Sequence, residues 1–228
     1  MKIKCYERGV SVEPTLERSG LVFIDIGARK AELLRGHFFD ENLGVREDRR
    51  ICSVSSFKGC HMFLLEPDPH HFDDLCAAAE KASHTASSVT VICAGVWDST
   101  GENTFYRSEG RASDYGSTLL PDKKNPYEPD FERLILEDPV SIQTIDILEL
   151  LAGLKGEVFM KIDTEGGEYV ILPRLFNSEI PPCLKGFFVE WHDAFYPERH
   201  REFERKYLDS MKALISMGVE YHWWPPEW

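Results

Sequence analysis

The chain has 228 residues, 43% of them hydrophobic and 29% charged, with a formal net charge of −13. That length suits a single domain over residues 1–228 that folds around its own core without disulfides or a structural metal, and no apolar run approaches the roughly 18 residues of a membrane span. The negative charge argues against nucleic acid as a partner, because affinity for a phosphate backbone comes largely from basic side chains that release counterions.

The chain opens MKIKCYERGV, a basic start with no apolar stretch behind it, so no signal peptide is expected and a cytoplasmic location follows. The six cysteines form no C-x-x-C pair and show no zinc-ligand rhythm. That usage fits a reducing compartment. Cys93, inside an apolar run, is expected to be a small buried hydrophobe.

In chain order, Leu21–Ile26 (LVFIDI) reads as the first strand and Ala28–Phe39 as the helix after it. Residues 40–61 are charged and read as a surface excursion. Met62–Glu66 (MFLLE) is the second strand. It leads into a helix over Pro69–Ser83, with Pro69 suited to the first turn. Val89–Ala94 (VTVICA) is the third strand. Residues 103–146 break the alternation: strand-like NTFY and VSIQTI flank a polar, proline-containing stretch. An insert of this length is functional or a plain surface loop, and the functional reading is a flap or hairpin that helps form an acceptor pocket. Asp146–Leu154 is helical, Val158–Asp163 (VFMKID) is the fourth strand, and Glu168–Phe176 the helix after it. Gly186–Trp191 (GFFVEW) is a fifth strand, and Phe203–Gly218 a closing helix stopped by its glycine. The strands are nearly continuous apolar runs, the pattern of a parallel sheet covered on both faces. The fold class is therefore α/β, a mostly parallel doubly wound sheet with a hairpin-like insert.

Ligands of such sheets bind beyond the carboxyl ends of the strands, and the chemistry-bearing residues gather there. The first strand ends Asp25-Ile26-Gly27-Ala28. The glycine admits close backbone approach, and Asp25 would welcome a cationic amino acid end of a cofactor but not a pyrophosphate. The complete G-x-G-x-x-G of a dinucleotide site is missing. The second strand ends Glu66-Pro67-Asp68-Pro69, and a carboxylate there accepts two hydrogen bonds from a ribose diol. Helix capping is the other reading, and it suits Asp68 better than Glu66. Ala94 and Gly95 leave room for a flat ring, on which Trp97 could stack or against which it could merely pack. In Lys161-Ile162-Asp163-Thr164-Glu165-Gly166-Gly167-Glu168, Asp163 or Thr164 could be a helix cap. Lys161, in a buried-looking strand, needs a partner or a route to water. His192, after Glu190 at the fifth strand's end, is a candidate base.

Together VFIDIGA, LLEPDP, ICAGVWDSTGENTFY, SIQTIDILEL and FMKIDTEGGEYVIL, in this order over roughly residues 22–192, resemble the blocks of the FkbM-type S-adenosylmethionine-dependent methyltransferases. The most specific is KIDTEGGE. The resemblance implies a Rossmann-like class I methyltransferase fold with S-adenosylmethionine as cofactor. Asp25, Gly27 and Ala28 would line its methionine end, Glu66 with Pro67 its ribose, and Ala94 with Gly95 its adenine. Asp163 and Glu165 would face cofactor or acceptor. It also implies methylation of hydroxyls on a small-molecule or glycan acceptor. The chain departs from the family's G-A-N-x-G, having Gly27-Ala28-Arg29-Lys30-Ala31.

The expected catalytic residues are His192 and Asp163, either of which could take the acceptor proton, with Glu165 and Glu190 orienting the acceptor. A variant in which Asp163, Glu165, Glu190 and His192 hold magnesium or manganese is weighed and not favoured, so no metal ligand is assigned. The rivals are a non-catalytic methyltransferase-like binding domain and a nucleotide-sugar or NAD-dependent enzyme. Tyr106, Arg111, Tyr115, Tyr127 and the run Tyr221-His222-Trp223-Trp224 could line an acceptor pocket or simply pack. The oligomeric state is left open by the sequence.

Overall fold

The structure, a computed structural model, describes residues 3–6, 20–29, 59–82, 86–107, 116–124, 139–179 and 181–223. The strands are β1 (Ile3–Tyr6), β2 (Leu21–Ile26), β3 (His61–Leu65), β4 (Ser88–Ile92), β5 (Gly95–Trp97), β6 (Gly101–Phe105), β7 (Val140–Asp146), β8 (Glu157–Ile162), β9 (Leu184–Val189) and β10 (Glu220–Trp223). The α-helices are α1 (Phe72–Ala82), α2 (Ile147–Ala152), α3 (Glu168–Phe176) and α4 (His200–Met217).

Seven strands form one sheet in the order β1-β4-β3-β2-β8-β9-β10. Every described pairing within it is parallel, in keeping with a Rossmann-like methyltransferase fold. From the central β2 the chain steps outward through β3 to β4, then returns to the other side of β2 at β8. The order reverses there, which makes the β2–β8 junction the topological switch point where such sheets open a ligand crevice.

Side-chain alternation explains why the sheet is covered on both faces. Val22, Ile24 and Ile26 of β2 join Val158, Met160 and Ile162 of β8 in a core roofed by α2, α3 and Leu214 of α4. Phe23 faces the opposite way, with Met62, Leu64, Val89, Val91 and Phe188 under Leu75, Ala78 and Ala79 of α1. Asp25 and Lys161 share that second face by the same alternation, and the β2–β8 register sets them directly opposite each other.

The expected helix starts are refined. Asp68 caps a short 3₁₀ turn, Pro69–His71, that runs into α1. Asp146 caps α2, accepting from Leu148 N at 2.8 Å. α4 begins three residues earlier than expected and ends at Gly218, which takes the left-handed φ of 65°. The insert's two strand-like pieces pair as β6 and β7, and with β5 they make a separate three-stranded sheet. Tyr106 bridges Thr118 beyond it. β1 and β10, the two edge strands, were not anticipated. The expected first helix beyond Arg29, most of the 40–61 excursion, and the insert at 108–115 and 125–138 lie outside the described residues. Among the described residues, no helix is long and apolar enough to cross a membrane.

Candidate active site

The rim of strand ends begins with Gly27, the first residue past the paired end of β2. Its φ is 79°, and a β-carbon there would stand 1.7 Å from the carbonyl oxygen of Asp163. Only glycine fits, because the loops after β2 and β8 touch backbone to backbone. Gly27 N and Ala28 N both donate to Leu65 O at 3.0 Å, and Asp163 N donates to Ile26 O at 3.0 Å. These bonds zip the ends of β3, β2 and β8 into one rim.

Glu66 stands on that rim with 7% of its surface exposed. One carboxylate oxygen accepts from Arg29 N and the other from Asp68 N, each at 2.8 Å. Burial pushes its carboxyl up to about 7, against the two N–H groups that favour the charged form. Each oxygen keeps a further lone pair, the arrangement that receives a diol. Arg29 holds a φ of 45° in this turn. An asparagine tolerates that region readily, and arginine at the same place preserves the turn and its bond to Glu66.

Lys161 finds the partners that its buried position requires. Its Nζ lies 3.0 Å from Asp163 Oδ2 and 3.5 Å from Asp25 Oδ1. Burial opposes its charge, but the two carboxylates outweigh it and hold the ammonium above its usual range. The same ammonium, with His192, keeps Asp163 below the ordinary carboxylate range against burial. Asp25, 1% exposed, thus sits beneath the rim beside a lysine.

Glu168 organises the next layer. Fully buried, it accepts through one oxygen from Thr164 Oγ1 (3.1 Å) and Gly166 N (3.0 Å). Through the other it accepts from His192 N (2.9 Å) and meets His192 Nδ1 (3.0 Å). Helix capping by Asp163 or Thr164 is therefore not what the segment does: the N-cap of α3 is Gly167, with no side-chain bond. With Nδ1 fixed, His192 Nε2 faces Glu165 Oε2 at 3.5 Å, Asp163 Oδ1 at 3.7 Å and Glu190 Oε1 at 3.7 Å.

Burial alone would lower the His192 imidazole, but Glu165, Glu168 and Asp163 raise it to about 10. It is an imidazolium at neutral pH, not a group poised near 7. Burial and the charges of Asp163 and Glu165 push Glu190 up to about 8. The folded pKa of His192 lies above the unfolded value of about 6.5. Its stabilisation is therefore complete below that value and is lost as pH rises through about 10. Urea midpoints taken from pH 6 to pH 10 should fall more steeply for the wild type than for His192→Asn; parallel curves would refute this.

Glu165 carries the acceptor side. Its φ of 55° turns its carbonyl toward the insert, where Thr118 Oγ1 (2.9 Å) and Tyr196 OH (2.5 Å) both donate to it. Its carboxylate is bound by Lys123, whose side chain is wholly buried, also donates to Gly116 O at 3.0 Å, and lies over the Phe195 ring. Lys123 and His192 hold Glu165 below its ordinary range despite burial. Thr118, Lys123 and Tyr196 were missed by the sequence reading. Lys123 in PDKKNP looks like any solvated charge, and only the fold brings it to an acid 42 positions away. Asp163, Glu165 and His192 place ligand-type atoms within 4.8 Å of one another. Asp163 and Glu165 each already hold a lysine, which meets part of the charge that a cation would.

The remaining candidates spread around this rim. Pro67 is half-buried between Glu66 and Asp68. Asp68 is the cap expected of it, accepting from His70 N at 3.0 Å, and Arg107 Nε lies 3.4 Å away. Ala28 and Ala94 are small, buried core residues. Gly95 opens β5, and a β-carbon there would lie 3.3 Å from the end of the Ile142 side chain and 3.4 Å from Thr144 on β7, a close fit. Trp97 packs with Leu120, Tyr169, Tyr196 and Phe203. Cys93, just past the end of β4, is half-buried rather than buried. Tyr106 is half-buried beside β6, and Tyr221 accepts a 2.8 Å hydrogen bond from Trp191 Nε1, a packing role. Lys30, Ala31, Arg111, Tyr115, Tyr127 and Trp224, and the side chains of His222 and Trp223, lie outside the described residues.

A comparison with protein families matches residues 25–211 to the methyltransferase FkbM domain. No curated protein and no solved structure matches the chain.

Proposed function

The chain belongs to the FkbM methyltransferase family, and from that premise we propose that it moves a methyl group from S-adenosylmethionine to a hydroxyl oxygen of a small-molecule or glycan acceptor. The observation that carries this reading is the rim at the β2–β8 switch point. The loops after β2 and β8 meet backbone to backbone at Gly27, Glu66 offers a two-oxygen carboxylate on one side, and Asp163, Glu165, Glu190 and His192 converge on the other.

The residues fit the cofactor. Gly27 and Ala28 would take its methionine end, with Asp25 and Lys161 fixing the turn from below. Glu66, beside Pro67, would accept from the ribose hydroxyls, and Ala94 and Gly95 would border the adenine. S-adenosylmethionine supplies an already activated methyl group on a sulfonium. The protein's task is alignment, which is worth on the order of 7–11 kcal/mol in reactions of this kind.

At the acceptor end, Asp163 is the group that takes the proton at neutral pH. It stays ionised beside Lys161 and His192, whereas His192 already carries a proton. His192 serves as the cationic hub that keeps Asp163, Glu165 and Glu190 turned to one point. A base poised near the working pH contributes about 10²–10⁴ in rate, and Asp163, whose basicity Lys161 and His192 lower, contributes less.

The test is incubation with S-adenosylmethionine and a library of polyols and glycosides, read by mass spectrometry. Wild type should yield O-methylated products. Asp163→Asn should lose them while still binding S-adenosylhomocysteine in a titration. Methylation confined to nitrogen or carbon, or undiminished turnover in Asp163→Asn, would reject the assignment. Against the non-catalytic rival stands the turn itself: Arg29 occupies the asparagine position of the family's motif, yet its N–H still holds Glu66.

A further inference from the structure

The charges of the acceptor end are layered. Its acids keep some surface: the side chains of Asp163 and Glu165 are each 24% exposed and that of Glu190 is 12% exposed. Its cations are shut behind them: Lys123 is 0%, His192 4% and Lys161 8% exposed. Each cation's charge is also turned toward a carboxylate: Lys161 on Asp163 Oδ2, Lys123 on Glu165 Oε2, and His192 Nε2 toward Asp163, Glu165 and Glu190. Counting the two acids further in, Asp25 and Glu168, five acids surround three cations, and of the five Glu190, pushed up to about 8, is mostly protonated at neutral pH. Among the described residues, the ionised groups that an approaching acceptor meets at this end are the carboxylates of Asp163 and Glu165.

An ionised carboxylate only accepts hydrogen bonds. A ligand seated against it must bring donors, and a ligand bringing its own carboxylate or phosphate meets like charge, with the compensating cations one layer back. We propose that the acceptor is a donor-rich, uncharged or cationic hydroxyl compound, such as a neutral polyol or amino sugar, and that acceptors with a carboxylate or phosphate next to the reacting hydroxyl are excluded by Asp163 and Glu165. This rests on the methyl-transfer reading of the same site. It also separates two halves of the rim: specificity for charge is set at the β8–β9 edge, while the cofactor is gripped at the β2–β3 edge.

Two small nitroxides of equal size, one bearing an ammonium and the other a carboxylate, report the field directly. They would be added to the full chain, and the relaxation of the His192 ring C–H resonances measured by NMR, with the signals assigned by comparison with His192→Asn. The ammonium probe should enhance relaxation at least about threefold more than the carboxylate probe, as a potential of a kT or more requires, and the excess should shrink with added salt. Because the whole chain carries −13, the same ratio is measured in the double variant Asp163→Asn with Glu165→Gln, where it should fall toward the value for an exposed histidine such as His70. Equal enhancement by the two probes, or a ratio unchanged in the double variant, would overturn the proposal. So would methyl transfer to a hydroxyl adjoining a carboxylate or phosphate. A parallel titration with S-adenosylhomocysteine keeps the outcomes apart: its failure would count against the cofactor reading, while the nitroxide ratio is still read on the free protein.

Discussion

Replacing Glu168 by alanine should cost about 3–5 kcal/mol of stability, the usual penalty for breaking a buried ionic pair by removing one partner. The carboxylate is fully buried and serves four groups. Without it, two N–H groups, a hydroxyl and the His192 imidazolium lose their acceptor in a place water scarcely reaches. For a chain of this length the melting midpoint should drop by roughly 10 °C. Glutamine should not rescue it. An amide has one accepting oxygen, so it can serve either the Thr164–Gly166 side or the His192 side and must turn its NH₂ toward donors on the other. Differential scanning calorimetry on wild type, Glu168→Ala and Glu168→Gln decides this; a glutamine variant as stable as wild type would refute the four-bond account. The alanine variant should also have a lower His192 pKa than the wild type, since Glu168 is among the groups that raise it.

Gly27→Ala should be at least as damaging. The added carbon would sit 1.7 Å from Asp163 O and 2.9 Å from its carbonyl carbon, both backbone atoms at the end of a central strand. Relief requires β2 and β8 to part at the switch point, and the bonds of Gly27 N, Ala28 N and Asp163 N go with them. The left-handed φ adds roughly 1–2 kcal/mol on its own. A total loss above about 4 kcal/mol is expected, with cofactor binding gone even where some folded protein remains. Gly218→Ala is the control. It has a similar φ of 65° but nothing within 4 Å of the new carbon, so it should show the conformational cost alone. Equal destabilisation of the two variants, measured by urea unfolding, would show that the backbone contact at Gly27 is unimportant.

The sequence makes the sheet legible because five of its strands are buried on both faces, and continuous apolar runs mark them. β1 and β10 lie at the edges and are short, and IKCY and EYHW carry no such run. Lys161 in an apolar strand announces a partner: the nearer, Asp163, stands two positions on and is local, while the second, Asp25, depends on the register that places it opposite. The cap at Asp68 is a local signal and is readable. Glu168 in KIDTEGGE is visible as an acid near a helix start, while its bonds to His192 span 24 positions and belong to the tertiary structure. The same holds for Lys123 with Glu165. The charge state of His192 follows from Asp163, Glu165 and Glu168, carboxylates of one segment that the fold brings to it, so a lone histidine at a strand end suggests a base where the fold makes a cation.

The central claim is that the rim formed by the ends of β2 and β3 holds S-adenosylmethionine through Glu66. The most direct measurement is a thermal-shift titration with S-adenosylmethionine, S-adenosylhomocysteine and NAD on wild type and Glu66→Ala. A ligand at about 100 times its dissociation constant stabilises by roughly 2.7 kcal/mol, or roughly 5–11 °C for a chain of this size. The account predicts that shift for the two sulfur ligands, none for NAD, and its loss in Glu66→Ala. A shift with NAD, or sulfur-ligand shifts that survive in Glu66→Ala, would contradict it.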